Sequence, residues 1–176
     1  MVNNASTNVG GQLETLTDEQ LIERFMGKTL ASMRLCRAAL AYLHKAHGGR
    51  IVCIGGSSAR SAGKNSLPSG LGNSSLANFV KHFSNDVAPD GITVNIIHPP
   101  FTKTHRYPGR VAARAAERGL SLAAAEASFA AEFPIGRVIE PSDIAPMVLF
   151  LASRHASAIT GQALAIDGGA TPYVAY

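Results

Sequence analysis

The stretch Ala88-Pro89-Asp90-Gly91-Ile92-Thr93-Val94-Asn95-Ile96-Ile97-His98-Pro99-Pro100 decides the fold. Pro89-Asp90-Gly91 is a turn, because proline presets its own φ and glycine reaches left-handed backbone that side chains resist. Ile92 to Ile97 then reads as a buried strand. His98-Pro99-Pro100 is expected to stop it, since proline has no N–H to donate to a ladder.

Upstream of the turn, Leu76, Phe79, Val80, Phe83 and Val87 repeat at three and four residues, which predicts a helix from about Leu71 to Val87. Before it, Ile51-Val52-Cys53-Ile54 is an unbroken apolar run, the pattern of a strand covered by helices on both faces, and Gly55-Gly56-Ser57-Ser58 ends it. Earlier still, Thr17 can cap a helix, Gln20 can reach back to it, and Leu16 and Leu21 are placed as a hydrophobic staple. The long helix that follows is expected to run to Gly48-Gly49, with Leu21, Phe25, Leu30, Met33, Leu35, Ala38, Ala39, Leu40 and Leu43 as its apolar and small positions.

Downstream, Val111 to Phe133 is alanine-rich, helical on either side of Gly119, and reads as a cap or lid. From Pro141 a further helix turns Ile144, Met147, Val148 and Leu151 inward, with Pro146 disturbing its first turns. Ala163 to Ile166 is the last strand, ended by Asp167-Gly168-Gly169. Helices alternating with buried strands imply parallel α/β crossovers. The expected fold is a partial Rossmann-like, doubly wound parallel sheet of three to four strands with flanking helices, Met1 to Asn3 adding at most a short edge.

With 176 residues, 46% hydrophobic and 16% charged, the chain can bury one sizeable core, so a single domain over 1–176 is expected. Its net charge of +4 comes from scattered Lys and Arg, without the basic runs and interleaved aromatics of a nucleic-acid surface. Cys36 and Cys53 sit in apolar segments with no C-x-x-C pair or histidine cluster, which predicts buried free thiols, no disulfide, no metal site and a cytoplasmic setting. No apolar stretch reaches eighteen residues, and Val-Asn-Asn follows Met1, so neither a membrane span nor a signal peptide is expected.

Several short segments match one family in order and spacing. Asn3-Asn4-Ala5-Ser6, Gly49-Arg50-Ile51-Val52, the stretch from Ala88 to Asn95 with Pro99 and Thr104 beyond it, and Pro134-Ile135-Gly136-Arg137 are four of them. Pro141-Ser142-Asp143-Ile144-Ala145, Leu151-Ala152-Ser153 and Ile159-Thr160-Gly161-Gln162 through Asp167-Gly168-Gly169 complete the set. Together they resemble the short-chain dehydrogenase/reductase family over almost the whole chain. The resemblance implies an oxidoreductase using NAD or NADP, with Asn4, Pro99, Thr102 and Thr104 near the cofactor.

The same resemblance exposes departures. The family's dinucleotide rests its pyrophosphate on a glycine-rich turn after the first strand. This chain aligns from the end of the family's fourth strand, and none of its 17 glycines forms a G-x-G-x-x-G between a strand and a helix. The family's catalytic tyrosine, lysine and serine fall on Ser69, Asn73 and Gly56, with Ser57 beside the last, and Lys28 stands where the family has asparagine. Tyr42, Tyr107, Tyr173 and Tyr176 all lack a lysine four residues on. A serine hydroxyl titrates far above a phenol and is a poor proton donor.

The expectation is therefore a short-chain dehydrogenase/reductase-like protein without efficient NAD(P)-dependent hydride transfer as this chain alone, binding NAD(P) weakly or not at all. The alternatives are a non-catalytic interaction protein that keeps the family's assembly surface, and a cofactor-independent enzyme using Ser57, Ser69, His98 or His105. The featureless segment Val111 to Phe133, which the resemblance places over the substrate, suggests a small apolar carbonyl or alcohol ligand. The helices Thr17 to His47 and Leu71 to Val87 correspond to the family's subunit contacts. With Leu30, Met33, Leu76 and Phe83 on their outer faces they imply a homodimer or tetramer.

Overall fold

The computed structural model describes residues 1–7 and 9–172; Tyr173 and Tyr176 lie outside them. Four strands pair in parallel in the order β1 (Val2–Asn3), β2 (Gly49–Ile54), β3 (Ile92–His98) and β4 (Ala163–Ala165). Gly49 pairs with Ile92 and Ile54 with Ile97, so the two apolar runs lie side by side. Gly91 enters β3 at φ +72°, the left-handed backbone that the turn requires. The strand continues one residue beyond its expected stop, through His98, because only at Pro99 does the chain lose its donor.

Side chains of β2 and β3 alternate between two apolar layers, as the period of a strand dictates. Ile51, Cys53, Val94 and Ile96 face one layer, and Val52, Ile54 and Ile97 face the other. On the first face lies α3 (Leu67–Val87), which starts earlier than its apolar repeat and carries Pro68 in its first turn. Leu76 is 1% exposed there, so its expected place on an outer face is corrected: it is a core residue. On the second face lies α6 (Pro141–Ala152), with Ile144, Met147, Val148 and Leu151 against the sheet as expected.

The first long helix begins as foreseen, Thr17 accepting from the Gln20 N–H and Gln20 accepting from the Thr17 N–H. It runs as α1 (Asp18–Phe25), a π-helical turn at Met26–Leu30, and α2 (Ala31–Lys45). Its inward row differs from the expected one. Phe25 and Leu35 are exposed, while Arg24, Lys28, Thr29, Ser32 and Cys36 are buried. Polar groups can occupy this stripe because they find partners: Lys28 donates to the carbonyls of Ile54 and Gly55, and Thr29 to that of Gly72.

The alanine-rich segment forms α4 (Tyr107–Arg118) and α5 (Leu122–Ala130), parted at Gly119, whose φ of +64° ends α4. It has a better-defined inner face than its composition suggests. Tyr107, Val111, Ala125, Phe129 and Phe133 bury a satellite core of their own, with Phe101 and Phe129 stacked at 4.8 Å between ring centres. Among the described residues no helix is long and apolar enough to cross a membrane.

Candidate functional site

Two chain reversals meet at the C-terminal ends of β2 and β3, where ligands lie in open parallel sheets. One is Gly55-Gly56-Ser57 after β2, and the other is Pro99-Pro100 after β3. His98 ties them together: its Nδ1 lies 3.1 Å from Gly56 N and 2.9 Å from Gly56 O, while the Ser57 N–H donates to Pro99 O at 2.9 Å. A Cβ on Gly55 would sit 2.5 Å from His98 Nδ1, and one on Gly56 would sit 2.6 Å from Asn73 Nδ2. The turn is built tightly around two glycines, so a serine at position 56 would have to displace Asn73.

Asn73 is 4% exposed and reaches this turn from α3, its Nδ2 donating to Ser58 Oγ at 2.8 Å. From the neighbouring first long helix, Lys28 Nζ donates to Ile54 O at 3.1 Å and Gly55 O at 3.4 Å, at the start of the turn. Burial, reinforced by the Arg24 guanidinium, pushes the Lys28 ammonium down to about 8. Burial likewise pushes His98 down to about 4, so the imidazole is neutral at physiological pH and serves as a strut. Cys36 and Cys53 both approach Asn3 Nδ2, and burial raises them to about 11 and about 12, leaving protonated, free thiols. Among the described residues no group of three or more metal-ligating side chains occurs.

Two adjoining cavities open here. One, of about 320 Å³, gathers all four residues singled out by resemblance, Asn4, Pro99, Thr102 and Thr104, beside apolar Ile54 and Val148. The other, of about 440 Å³, contains both serine candidates, Ser57 and Ser69, with Ser58 and Asn73. Pro99, Thr102 and Thr104 form the shared wall. His98 is held behind the turn and His105 lines neither cavity. Sequence reasoning missed Ser58, whose role depends on Asn73, a residue fifteen positions away. It also missed Arg106 and Arg110, which line the larger cavity and whose spacing of one helical turn was the available signal.

A family model described as enoyl-(acyl carrier protein) reductase matches residues 1–171. This chain belongs to the short-chain dehydrogenase/reductase family. It is 31% identical to the NADPH-dependent reductase BacG of Bacillus subtilis (strain 168), over 96% of this chain and 65% of that protein. It is also 31% identical to a monensin polyketide synthase ketoacyl reductase, so described on prediction, of Streptomyces virginiae, over 96% of this chain and 66% of that one. Among solved structures, YwfH, an NADPH-dependent reductase involved in bacilysin biosynthesis, superposes with a TM-score of 0.91 at 30% identity, over 98% of this chain and 66% of that one. The L-sorbose reductase of Gluconobacter frateurii, complexed with NADPH and L-sorbose, gives 0.92 at 25% identity, again over 98% and 66%. The chain thus spans about 65% of the length of the first of these short-chain dehydrogenase/reductase relatives.

The residues of this chain fit only part of the family's dinucleotide. The smaller cavity, with one amide, two hydroxyls and apolar walls, suits a flat ring bearing an amide. A pyrophosphate is not matched. The helix end that opens there, the start of α6, has Pro141 without an N–H, and the carboxylate of Asp143 already accepts from Glu140 N at 2.8 Å. Arg137 pairs with Asp143 at 2.7 Å and holds that carboxyl down to about 2, so the negative charge is permanent near neutrality.

Proposed function

We propose that residues 1–176 form one folding unit of a short-chain dehydrogenase/reductase that binds a small molecule without carrying out hydride transfer through its own side chains. The observation that supports this is the contact of Asn73 with Ser58: at the position where the family has an ammonium, a neutral amide donates at 2.8 Å to a serine hydroxyl. An amide holds no transferable proton and does not lower the pKa of a neighbouring hydroxyl as a cation would. Ser69 stands at the tyrosine's position, and neither Ser57 nor Ser69 has a base among the groups that line its cavity, which argues against cofactor-independent nucleophilic chemistry.

Binding of NAD(P) by this chain is accordingly weak or absent, because the cradle for the pyrophosphate is not supplied by these residues. Isothermal calorimetry with NADPH and NADH tests this. The expected result is no measurable heat at micromolar nucleotide, and no nucleotide oxidation with a panel of ketones; micromolar affinity or steady turnover overturns the reading. The variant Ser69→Tyr with Asn73→Lys is expected to remain inactive, since it restores the acid but not the cradle.

A second reading, an interaction protein assembled as a homodimer, is favoured by the outer face of the first long helix. Ile22, Phe25 and Met26 are 59%, 42% and 37% exposed there, an apolar row that a second copy of the helix would cover.

A further inference from the structure

The larger cavity has a charge pattern that an apolar carbonyl or alcohol does not explain. Arg106 and Arg110 line it, one helical turn apart at the start of α4, and no acidic side chain lines it. Neither guanidinium has a carboxylate within 4.0 Å among the described residues, although Arg114, one turn further along the same helix, is paired with Glu132 at 2.7 Å. Two exposed cations with no acidic partner at one pocket give it a positive potential that favours an anion. The other polar groups lining it are uncharged and include the donors Ser57, Ser58, Ser69 and the amide of Asn73. Phe101 forms an apolar side wall, with the Arg110 guanidinium 5.1 Å from its ring centre, so the cation is already oriented by a flat aromatic face.

The geometry points to a small organic oxyanion as the ligand of this cavity, a carboxylate or phosphate held by Arg106 and Arg110 together with the hydroxyls of Ser57 and Ser58, with its body against Phe101. Guanidinium groups recognise both anions by paired N–H donors, so the shared chemistry is the oxyanion and the test must separate the two sources. This inference names the ligand class of the cavity on which the proposed binding function rests, and it requires no nucleotide.

The test titrates benzoate, phenyl phosphate and benzyl alcohol separately into the full chain without nucleotide, following amide shifts of Ser57 and Ser58 by NMR. Benzoate or phenyl phosphate should bind and benzyl alcohol should not. The tighter of the two anions identifies the source, and equal affinities define a general oxyanion site. Arg106→Gln with Arg110→Gln, which keeps much of each side chain's length, should weaken anion binding roughly tenfold, and Arg106→Lys with Arg110→Lys, which keeps the charge but loses the paired donors, should restore only part of it. Arg34→Gln, on the exposed part of α2, serves as the charge control and should change nothing. Melting temperatures of all variants should match the parent. Alcohol binding as tight as benzoate, absence of any anion shift at Ser57 and Ser58, or an undiminished affinity in the double glutamine variant overturns the assignment. Nucleotide oxidation in the separate turnover assay would instead strike at the proposed absence of hydride transfer and leave the anion site standing.

Discussion

Lys28 and Asn73 close on one turn from two different helices: Lys28 Nζ donates to Gly55 O at 3.4 Å, and Asn73 Nδ2 donates to Ser58 Oγ at 2.8 Å. By the resemblance, which puts asparagine at Lys28 and lysine at Asn73, the ammonium and the amide stand exchanged between the two helices. The exchange keeps one cation and one amide beside the turn, so its polar groups remain bonded. It moves the charge to the carbonyls of Ile54 and Gly55, away from the hydroxyl at the cavity.

The traded pair should behave as a unit. Asn73→Lys alone places a second ammonium near a buried one and should destabilise the fold by about 2 kcal/mol or more, whereas adding Lys28→Asn should recover a large part of that loss. Urea denaturation of the two single variants and the double variant checks this. Strictly additive costs would show that the two sites do not sense each other.

Lys28 is 3% exposed and its pKa is pushed down to about 8. Between that value and the ordinary lysine value, near 10.4, the unfolded chain binds more protons than the folded one, so stability must rise with pH across this window. The rise should reach at most about 3 kcal/mol. Lys28→Met should flatten the profile above pH 8 and leave stability at neutral pH equal or higher, since it removes a buried charge. A wild-type profile that is flat between pH 8 and 10 would contradict the burial assigned to this ammonium.

His98 obeys the same rule at lower pH. Burial holds it neutral down to about 4, below its ordinary 6.5, so the protein loses stability as pH falls through that interval and regains it as pH rises. Asp143 is held down to about 2 by Arg137 and also loses its contribution in acid, at lower pH than His98. The difference between wild type and His98→Gln isolates the imidazole: the variant should be less stable at pH 7, where Gly56 loses its partner, and should show a smaller loss between pH 6.5 and 4. Parallel acid curves for the two proteins would remove His98 from this role.

The sheet was legible because its signal is redundant. Ile51 to Ile54 and Ile92 to Ile97 are apolar on both faces, Gly91 occupies the left-handed position of the turn, and the parallel pairing of Gly49 with Ile92 follows from the connecting helix. The inner face of α1 and α2 was not legible. A search for apolar periodicity selects Phe25 and Leu35, which are exposed, and passes over Arg24, Lys28 and Thr29, which are buried against backbone carbonyls and hydroxyls invisible to a one-dimensional pattern. The π-helical turn at Met26–Leu30 inserts an offset in that stretch, so spacing before it does not predict the face after it. At the site, Asn4, Pro99, Thr102 and Thr104 were found by resemblance and share one cavity; Ser58 emerges only once the two turns are packed together, and the spacing of Arg106 and Arg110 puts them on one helix face but does not say which cavity they line.

Leu76 separates core from assembly. Because it is 1% exposed among Cys36, Cys53 and Val94, Leu76→Ala should cost about 2 to 5 kcal/mol by cavity formation. The oligomeric state of whatever remains folded should not change. Calorimetry paired with light scattering reads both quantities, and a mild stability loss with dissociation would place Leu76 at an interface after all.

Assembly itself should depend on the outer row of the first long helix. Ile22, Phe25 and Met26 lie three and four residues apart on α1 and its π-helical continuation, so they share a face, and each is more than a third exposed. Apolar surface of this kind left in water costs roughly 25 cal/mol per Å², which a two-fold partner presenting the same row would recover. Phe83 is a less direct reporter, because it is half-buried and stacked on Phe79 at 5.2 Å, so Phe83→Glu disturbs packing within the chain as well as any contact outside it. Phe25→Glu avoids that confusion, since an exposed side chain on an unpartnered face has little to lose in a monomer. Light scattering at high micromolar concentration should therefore report a dimer for the wild type and a monomer of unchanged melting behaviour for Phe25→Glu at the same concentration. A wild-type monomer, or a dimer that survives both Phe25→Glu and Ile22→Glu, would mean that this row is not the surface through which copies meet.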